Sequence, residues 1–347
     1  MRTLLNRDPS RERRSCNPEI KSSRSAGKKS RILFSIRFQY QKRDNGKKDE
    51  KTKVIALKGD SRKKSSGING GHLMSIPSLK LVYFSPTGTT KRVVREIARG
   101  IQPGTPEELD ITRPDARKRP FRTSENEVLI LGVPVYMGRV PSLITEWLYG
   151  IQAHNTQAVG VVVYGNRAYD DALLELNDIL ARRGCKPIAG AAFIGEHSFS
   201  RAETPTAQGR PDMSDLKHAE LFGQNIREKL QSVSSPGQVS EVKIPGCHPY
   251  RGEPCHPYRR GTAFWNVDFI AVSDACIQCG ICAAGCPVGA IDPENSRAID
   301  TENCITCCAC IRHCPQHART IKPGIVREAS LRLNTLYKER KEPECFL

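Results

Sequence analysis

The stretch LKLVYFSPTGTTKRVVREIARG, Leu79–Gly100, decides the fold of this chain. Its first six residues, LKLVYF, form a short apolar run rich in strand formers. Further on, Val93, Ile97 and Ile101 recur at helical spacing, and Gly100 suits a helix end. Between the two lies a loop of Ser, Thr and Gly. Strand, polar loop and helix in this order aim backbone N–H groups and hydroxyls at one point, and the helix N-terminus adds roughly half a positive charge there. The ligand so favoured is a phosphate. Ser85, Thr87, Thr89 and Thr90 supply hydroxyls, and Gly88 lets the backbone come close. A helix cap alone would account for such a turn equally well. Neither G-x-x-x-x-G-K-[ST] nor G-x-G-x-x-G occurs in the chain, so a nucleoside triphosphate loop and a Rossmann site are not expected.

Outward from this stretch the scheme repeats. EVLILGVPVYMGRVPSLITEWL (127–148) reads as a buried strand (128–133), a Pro/Gly/Tyr loop (134–141) and a helix. AVGVVVYGNRAYDDALLELNDILARRG (158–184) reads as a strand over 158–164, a loop over 165–170 and a helix to about 183. KPIAGAAFIG (186–195) is a further strand, 213–232 a closing helix, and EELDIT (107–112) a second strand at the sheet edge. Such alternation predicts an α/β fold, a doubly wound parallel sheet with helices on both faces. Ligands of such sheets sit at the carboxyl ends of the strands, where the strand order reverses.

Leu81–Ile97 resembles the flavodoxin signature, an apolar strand ending in an aromatic and followed by S-x-T-G-T-T. Val94 stands where that signature usually has a small residue. The resemblance covers about residues 79–232 and implies FMN as cofactor. It assigns the phosphate to Ser85, Thr87, Gly88, Thr89 and Thr90. The isoalloxazine ring would be bordered by Pro134, Tyr136, Met137 and Gly138 on one side, and by Tyr164, Gly165, Asn166 and Tyr169 on the other. Tyr136 and Tyr164 also read as core aromatics at strand ends.

The second signal is cysteine spacing. CIQCGICAAGCP gives Cys276-x2-Cys279-x2-Cys282-x3-Cys286-Pro, and CITCCACIRHCP gives Cys304-x2-Cys307-x2-Cys310-x3-Cys314-Pro. The units are offset by 28 residues with identical spacing, and Cys308, opposite Gly280, falls off the repeat. This pattern resembles bacterial two-cluster ferredoxins, in which three cysteines of one motif hold a cluster with the fourth cysteine of the other. The resemblance implies one 4Fe-4S cluster on Cys276, Cys279, Cys282 and Cys314, and a second on Cys304, Cys307, Cys310 and Cys286. It also implies a small α+β ferredoxin-like domain. A zinc site needs only four ligands and usually a simpler pair of C-x2-C motifs. Of the other cysteines, Cys185 follows a helix-ending Gly and reads as a small core residue. Cys247 and Cys255 lie in CHPYRGEPCHPYRRG, an eight-residue duplication. It reads as an ordered connector, with a metal-binding pair of Cys-His units as the alternative.

Of the net charge of +17, residues 1–77 hold 21 Lys and Arg against 7 Asp and Glu; the remaining 270 residues are close to balanced, at 33 against 30. That first segment is too polar to bury a core and is expected to be disordered. A basic arm for nucleic acid rests wholly on it and is not expected. GGHLMSIPSLKLVYF places Met74 five residues before the first strand, which suggests that the native chain starts there. No secretion signal or apolar run of about 20 residues occurs, so a cytoplasmic protein with metal-binding rather than disulfide cysteines is expected.

The expected layout is therefore a basic extension over 1–77, a flavodoxin-like domain over 78–235, a Pro/Gly-rich linker over 236–266, a two-cluster domain over 267–325 and a tail over 326–347. From about 79 to 325 it resembles the flavodoxin–ferredoxin fusion proteins of anaerobic bacteria and archaea. That resemblance implies low-potential electron transfer with other redox proteins as donor and acceptor. The alternative is a flavin-dependent oxidoreductase acting on a small substrate, for which Glu196 and His197 in GEHSFSR are the one tempting acid–base pair.

Overall fold

The computed structural model describes residues 78–101, 105–233, 235, 238–251 and 264–347. Cys16, Met74 and Cys255, with the basic extension, lie outside the described residues. The opening stretch forms β1 (Ser78–Tyr83) and α1 (Thr89–Ile101). There follow β2 (Glu107–Asp110), β3 (Arg122–Thr123), β4 (Glu127–Pro134), α2 (Thr145–Tyr149), β5 (Gln152–Ala153), β6 (Thr156–Tyr164), α3 (Ala172–Arg182), β7 (Cys185–Ile194) and α4 (Met213–Gln231). The cysteine-rich part adds β8 (Ile270–Val272), α5 (Ile281–Ala284), α6 (Ala309–Arg312) and β9 (Arg319–Ile321), and the chain closes with α7 (Ile325–Leu336) and β10 (Glu344–Phe346).

The main sheet has the order β10-β7-β6-β4-β1-β2. All neighbours are parallel except β10, which runs antiparallel to β7. Strand β6, TQAVGVVVY, is buried at every position, as expected of a parallel strand covered on both faces. Alternate residues feed two apolar layers. Leu81, Tyr83, Val128 and Ile130 face Val93, Ile97 and Phe222 of α1 and α4, while Val82, Leu129 and Leu131 face Leu148, Leu173 and Leu176 of α2 and α3. Helices α1 and α4 pack backbone to backbone. A Cβ added at Gly223 would sit 2.1 Å from the Ile97 carbonyl oxygen, and one at Gly100 2.1 Å from that of Glu220. The fold is thus the expected doubly wound α/β sheet, with β1, β4 and β6 ending on one edge.

The cysteine-rich part is small and α+β: β8 pairs antiparallel with β9, and α5 and α6 are single turns. The internal repeat extends to the backbone. Gln278 and Gly280 have φ of +52° and +73°, and their equivalents Thr306 and Cys308 have +53° and +57°. Each motif therefore passes through the left-handed region twice before its short helix. The described residues belong to one compact unit, so the sheet and the cysteine-rich part are packed together.

The tail returns to the sheet, which its sequence did not foretell. Glu344, Cys345 and Phe346 pair with Ala192, Ala191 and Gly190, covering the free edge of β7. The described start of the connector is pinned along α3: the His248 ring and the Tyr250 hydroxyl both meet Asp178, at 2.7 and 2.6 Å, and the Cys247 N–H donates to Asp171. Cys247 is disulfide-bonded, a departure from the expectation of metal-binding rather than disulfide cysteines. Among the described residues no helix is long and apolar enough to cross a membrane.

Candidate functional site

The loop after β1 is built as a cradle. The Gly88 N–H donates to the Ser85 carbonyl at 3.1 Å, closing a turn that Gly88 enters at φ +84°. The Ser85 hydroxyl accepts the Lys91 N–H at 3.0 Å, and the Ser85 N–H is held by the Thr112 hydroxyl at 2.8 Å. The Thr87 and Thr89 hydroxyls lie 3.5 Å apart. Thr90 is buried and its Oγ1 has no hydrogen-bond partner. The first-turn N–H groups of a helix lack partners within it, and α1 carries no acidic residue in its first turn to offset its dipole. An unpaired buried hydroxyl among donors at a helix start is what a phosphate ester would complete.

The two ring-side loops are brought together at the same sheet edge. Tyr136 and Arg139 exchange N–H···O bonds of 3.0 Å, a turn that needs Met137 and Gly138 at φ +53° and +83°. Pro134 ends β4, and Met137 is half exposed. Arg139 forks onto Glu175 at 2.8 and 2.7 Å, tying this loop to α3. A Cβ at Gly138 would strike the Asp170 carboxylate, and one at Gly165 the ring of His197, so both glycines admit a close neighbour. Tyr164 is buried in the apolar layer under α2 and α3, its ring 5.5 Å from that of Tyr169. This is the core-aromatic reading. The Tyr169 hydroxyl donates to Glu344 at 2.8 Å. Asn166, buried at φ +65°, donates its amide N–H groups to the Tyr337 and Glu339 carbonyls at 2.8 and 3.0 Å. Its Oδ1 has no partner. Two of the expected ring neighbours are thus also held by the tail.

Glu196 and His197 are committed to structure. Glu196 pairs with Arg312 and accepts the Gly209 N–H. The Nδ1 of His197 accepts the Phe199 N–H at 3.0 Å, and its ring packs edge-on against Phe199. Burial, reinforced by the charges of Arg167 and Arg312, pushes its pKa down to about 4.

The cysteines gather in two groups. Cys276, Cys279, Cys282 and Cys314 line one shallow hollow, together with Ile277, Ile281 and Arg319. Cys279, Ile277 and Ile281 are exposed, so this group faces outward. In the other group, burial raises the pKa of Cys307 well up, and the neighbouring thiols of Cys310, Cys304 and Cys286 add to the rise. Burial likewise pushes Cys310 up to about 12, with Cys304, Cys286 and Cys282 close enough to contribute. The structure thus sets each fourth cysteine beside the three of the other motif. Among the described residues no three or more His, Cys, Asp or Glu converge on a single metal ion. Buried thiols so shifted stay protonated and neutral; a ligated metal would supply the positive charge that lets them ionise. The fourth cysteines share one further feature: Cys286 accepts the Ala290 N–H and Cys314 the Ala318 N–H, both at 3.3 Å. Such N–H···S bonds tune ligating sulfurs. Cys308, off the repeat, is buried among Phe269, Ile270 and Ile321.

Three polar pins, which sequence reasoning missed, join the cysteine motifs to the sheet edge. The His313 Nε2 meets the Pro86 carbonyl at 2.8 Å, inside the loop after β1. Arg117 donates to the Pro287 carbonyl at 2.7 Å, next to Cys286. Arg312 pairs with Glu196. Beside these, Ile305, Cys307 and Ala309 belong to the same apolar cluster as Phe84, Val133 and Tyr164 at the strand ends. No local signal marks such contacts, because two of the three acceptors are backbone carbonyls.

Comparison with known proteins identifies the cysteine-rich part. Residues 269–315 match the 4Fe-4S dicluster domain family. Among solved structures, a flavodoxin from the domain Archaea is similar over 44% of this chain and 98% of its own, at 17% identity and a TM-score of 0.31. No curated protein matches the chain. The chain therefore carries a 4Fe-4S dicluster-type region after its mostly parallel α/β sheet.

Proposed function

We propose that this protein is an electron carrier holding one FMN at the edge formed by β1, β4 and β6, and two 4Fe-4S clusters on the two groups of four cysteines. Bound flavin exchanges two electrons or one, and each cluster one, so together they supply a short redox relay. The observation that carries the reading is the burial of Ile305, Cys307 and Ala309 in one apolar cluster with Phe84, Val133 and Tyr164. It seats the second cysteine group on the edge where an α/β sheet takes its ligand.

The chain's own residues divide the labour. Ser85, Thr87, Thr89, Thr90 and the start of α1 hold a phosphate, while Gly88 keeps the turn open. The loops at Tyr136–Gly138 and Tyr164–Tyr169 border the ring. Cys286, Cys304, Cys307 and Cys310 form the inner group, shielded from solvent by the sheet. Cys276, Cys279, Cys282 and Cys314 form the outer group. Exposed Ile277 and Ile281 make that face the one on which a partner redox protein docks. The domain limits proposed are 78–235 for the flavin part and 267–325 for the cluster part.

Anaerobic purification with iron, sulfide and flavin quantified tests the reading. About eight irons and one FMN per chain are expected, from the ligand count and the single phosphate loop. Four irons, or no flavin, would break the corresponding half. Thr90→Val should weaken FMN binding and leave iron unchanged.

A further inference from the structure

The residues after the cysteine-rich part have no place in the reading above, yet they form a strap across the ring-side loop. Ser330 of α7 bonds the Phe199 carbonyl at 2.7 Å and meets the Thr204 hydroxyl at 2.6 Å. Beyond α7, Arg210 donates to the Lys341 carbonyl at 2.6 Å, Arg340 pairs with Asp212 at 2.7 Å, and β10 completes the sheet. The contacts that matter most fall on the loop after β6. Asn166 is held by the Tyr337 and Glu339 carbonyls, Lys341 reaches the Arg167 carbonyl, and Tyr169 bonds Glu344.

The orientation of the Asn166 amide follows from its partners. Both are carbonyl oxygens, so only the NH2 end can face them. The Oδ1 then points away from the strap. It is buried, with the residue 3% exposed, and has no partner. Native proteins seldom leave a buried acceptor unpaired, and those that do usually await a ligand or water. The backbone adds a second sign, since Asn166 is held at φ +65°, a conformation that costs energy and collects at ligand loops. The same loop carries Tyr164, Gly165 and Tyr169.

We propose that the strap fixes Asn166 as an acceptor for an N–H of the ring ligand, making Asn166 a binding residue and residues 337–344 its positioning element. This rests on the FMN reading. The imide N–H of an isoalloxazine is the donor that matches, because the rest of that edge of the ring offers acceptors. Strap and ring are therefore coupled through one amide. Without the strap the amide rotates freely and the acceptor is no longer preset, so the ring is held more weakly.

Flavin titration into the deflavinated full chain, followed by fluorescence quenching, tests this with FMN and with riboflavin, which lacks the phosphate. Asn166→Ala, and separately a stop after Leu336, which removes both carbonyls, should each raise the Kd for both ligands about tenfold, the worth of one hydrogen bond. Combined, they should lose no more than either alone, because both act through the same amide. Thr90→Val, by contrast, should weaken FMN only. Iron and sulfide content unchanged in the shortened chain shows that the cysteine region stays assembled. If shortening disturbs it, Asn166→Asp, an acceptor that cannot donate to the two carbonyls, is titrated beside Asn166→Ala in place of the cycle and should raise the Kd for both ligands as Asn166→Ala does. Unchanged Kd values, additive losses or a loss confined to FMN would overturn the proposal while leaving the FMN reading intact. An intact chain that binds neither ligand would overturn both.

Discussion

The sheet over residues 78–231 and the cysteine-rich segment over 269–321 are ordered by opposite means. The first holds two continuous apolar layers, with Leu81, Ile97, Ile130, Val161 and Phe193 fully buried. Each such side chain contributes about 1.5–3 kcal/mol by leaving water. The second has strands of three residues and helices of four, and four of the residues in its shielded interior are Cys282, Cys307, Cys308 and Cys310. Elements that short do not stand alone. The lesson is that one compact unit can join a part that folds through burial to a part that folds through ligation.

The largest expected effect tests that contrast directly. Chelating the iron, or replacing Cys307 by Ser, should remove on the order of 10 kcal/mol of ordering free energy from the cysteine-rich segment. The sheet should remain. Hydrogen exchange is the measurement: amides of β8, β9, α5 and α6 should lose protection while those of β4 and β6 keep it. Protection retained in the segment after iron removal would show a core that packs without ligation, and the contrast would fail.

A substitution on the other side should do the reverse. A Cβ at Gly223 would lie 2.1 Å from the Ile97 carbonyl oxygen, with backbone as the neighbour on every side. Gly223→Ala should therefore force α1 and α4 apart and cost about 3 kcal/mol. Urea unfolding followed by far-ultraviolet circular dichroism would show the drop, while iron content stays constant. A variant as stable as the parent would mean that this helix pair has slack that the sheet does not need.

How far the sequence could be read follows the same division. Strand and helix periodicity gave β1, β4, β6, β7 and α4 nearly to the residue, and motif spacing sorted the cysteines into groups that the structure brings together. Both signals are local. The strap gave no such signal. Helix α7 buries only Val326 and Ser330, so its sequence shows a partial helical pattern and no apolar face. Several of the strap's fixing contacts, those of Ser330, Asn166, Arg210 and Lys341, run to backbone carbonyls, which every residue possesses. Asn166 was legible as a loop residue, but the side from which it is clamped depends on residues 171 and 173 positions away. The pins at His313 and Arg117 are equally remote in sequence, at separations of 227 and 170.

The junction between the two parts gives a middle-sized prediction. His197 lies against Gly165, its carbonyl accepts from Arg312, and the charge of Arg167 also acts on its ring. Burial and the two arginines push its pKa down to about 4. An unfolded histidine takes a proton near pH 6.5, so between about 6.5 and 4 the unfolded chain binds more protons than the folded one. Stability should thus fall as pH drops through that window and level off below it. The loss should be about 1–3 kcal/mol, the lower end allowing for the part of the ring that reaches solvent. His197→Asn, which keeps an acceptor for the Phe199 N–H, should flatten the curve. An unchanged curve in that variant would place the titration elsewhere.

The smallest expected effect concerns Cys308, the cysteine of the second motif that falls off the repeat. Cys308 occupies the position that Gly280 fills in the first motif, and both are left-handed, at φ +57° and +73°. A side chain there carries a backbone cost of about 1–2 kcal/mol that glycine avoids. Against this, the Cys308 side chain is 2% exposed and packs with Phe269, Ile270 and Ile321, a gain that glycine forfeits. Cys308→Gly should therefore change stability by no more than about 1 kcal/mol, because the two terms oppose. Iron and sulfide content should not change at all. The sign of the small shift shows whether strain or packing governs this turn. A loss of four irons would instead make Cys308 a ligand, and the pairing of each fourth cysteine with the opposite motif would have to be redrawn.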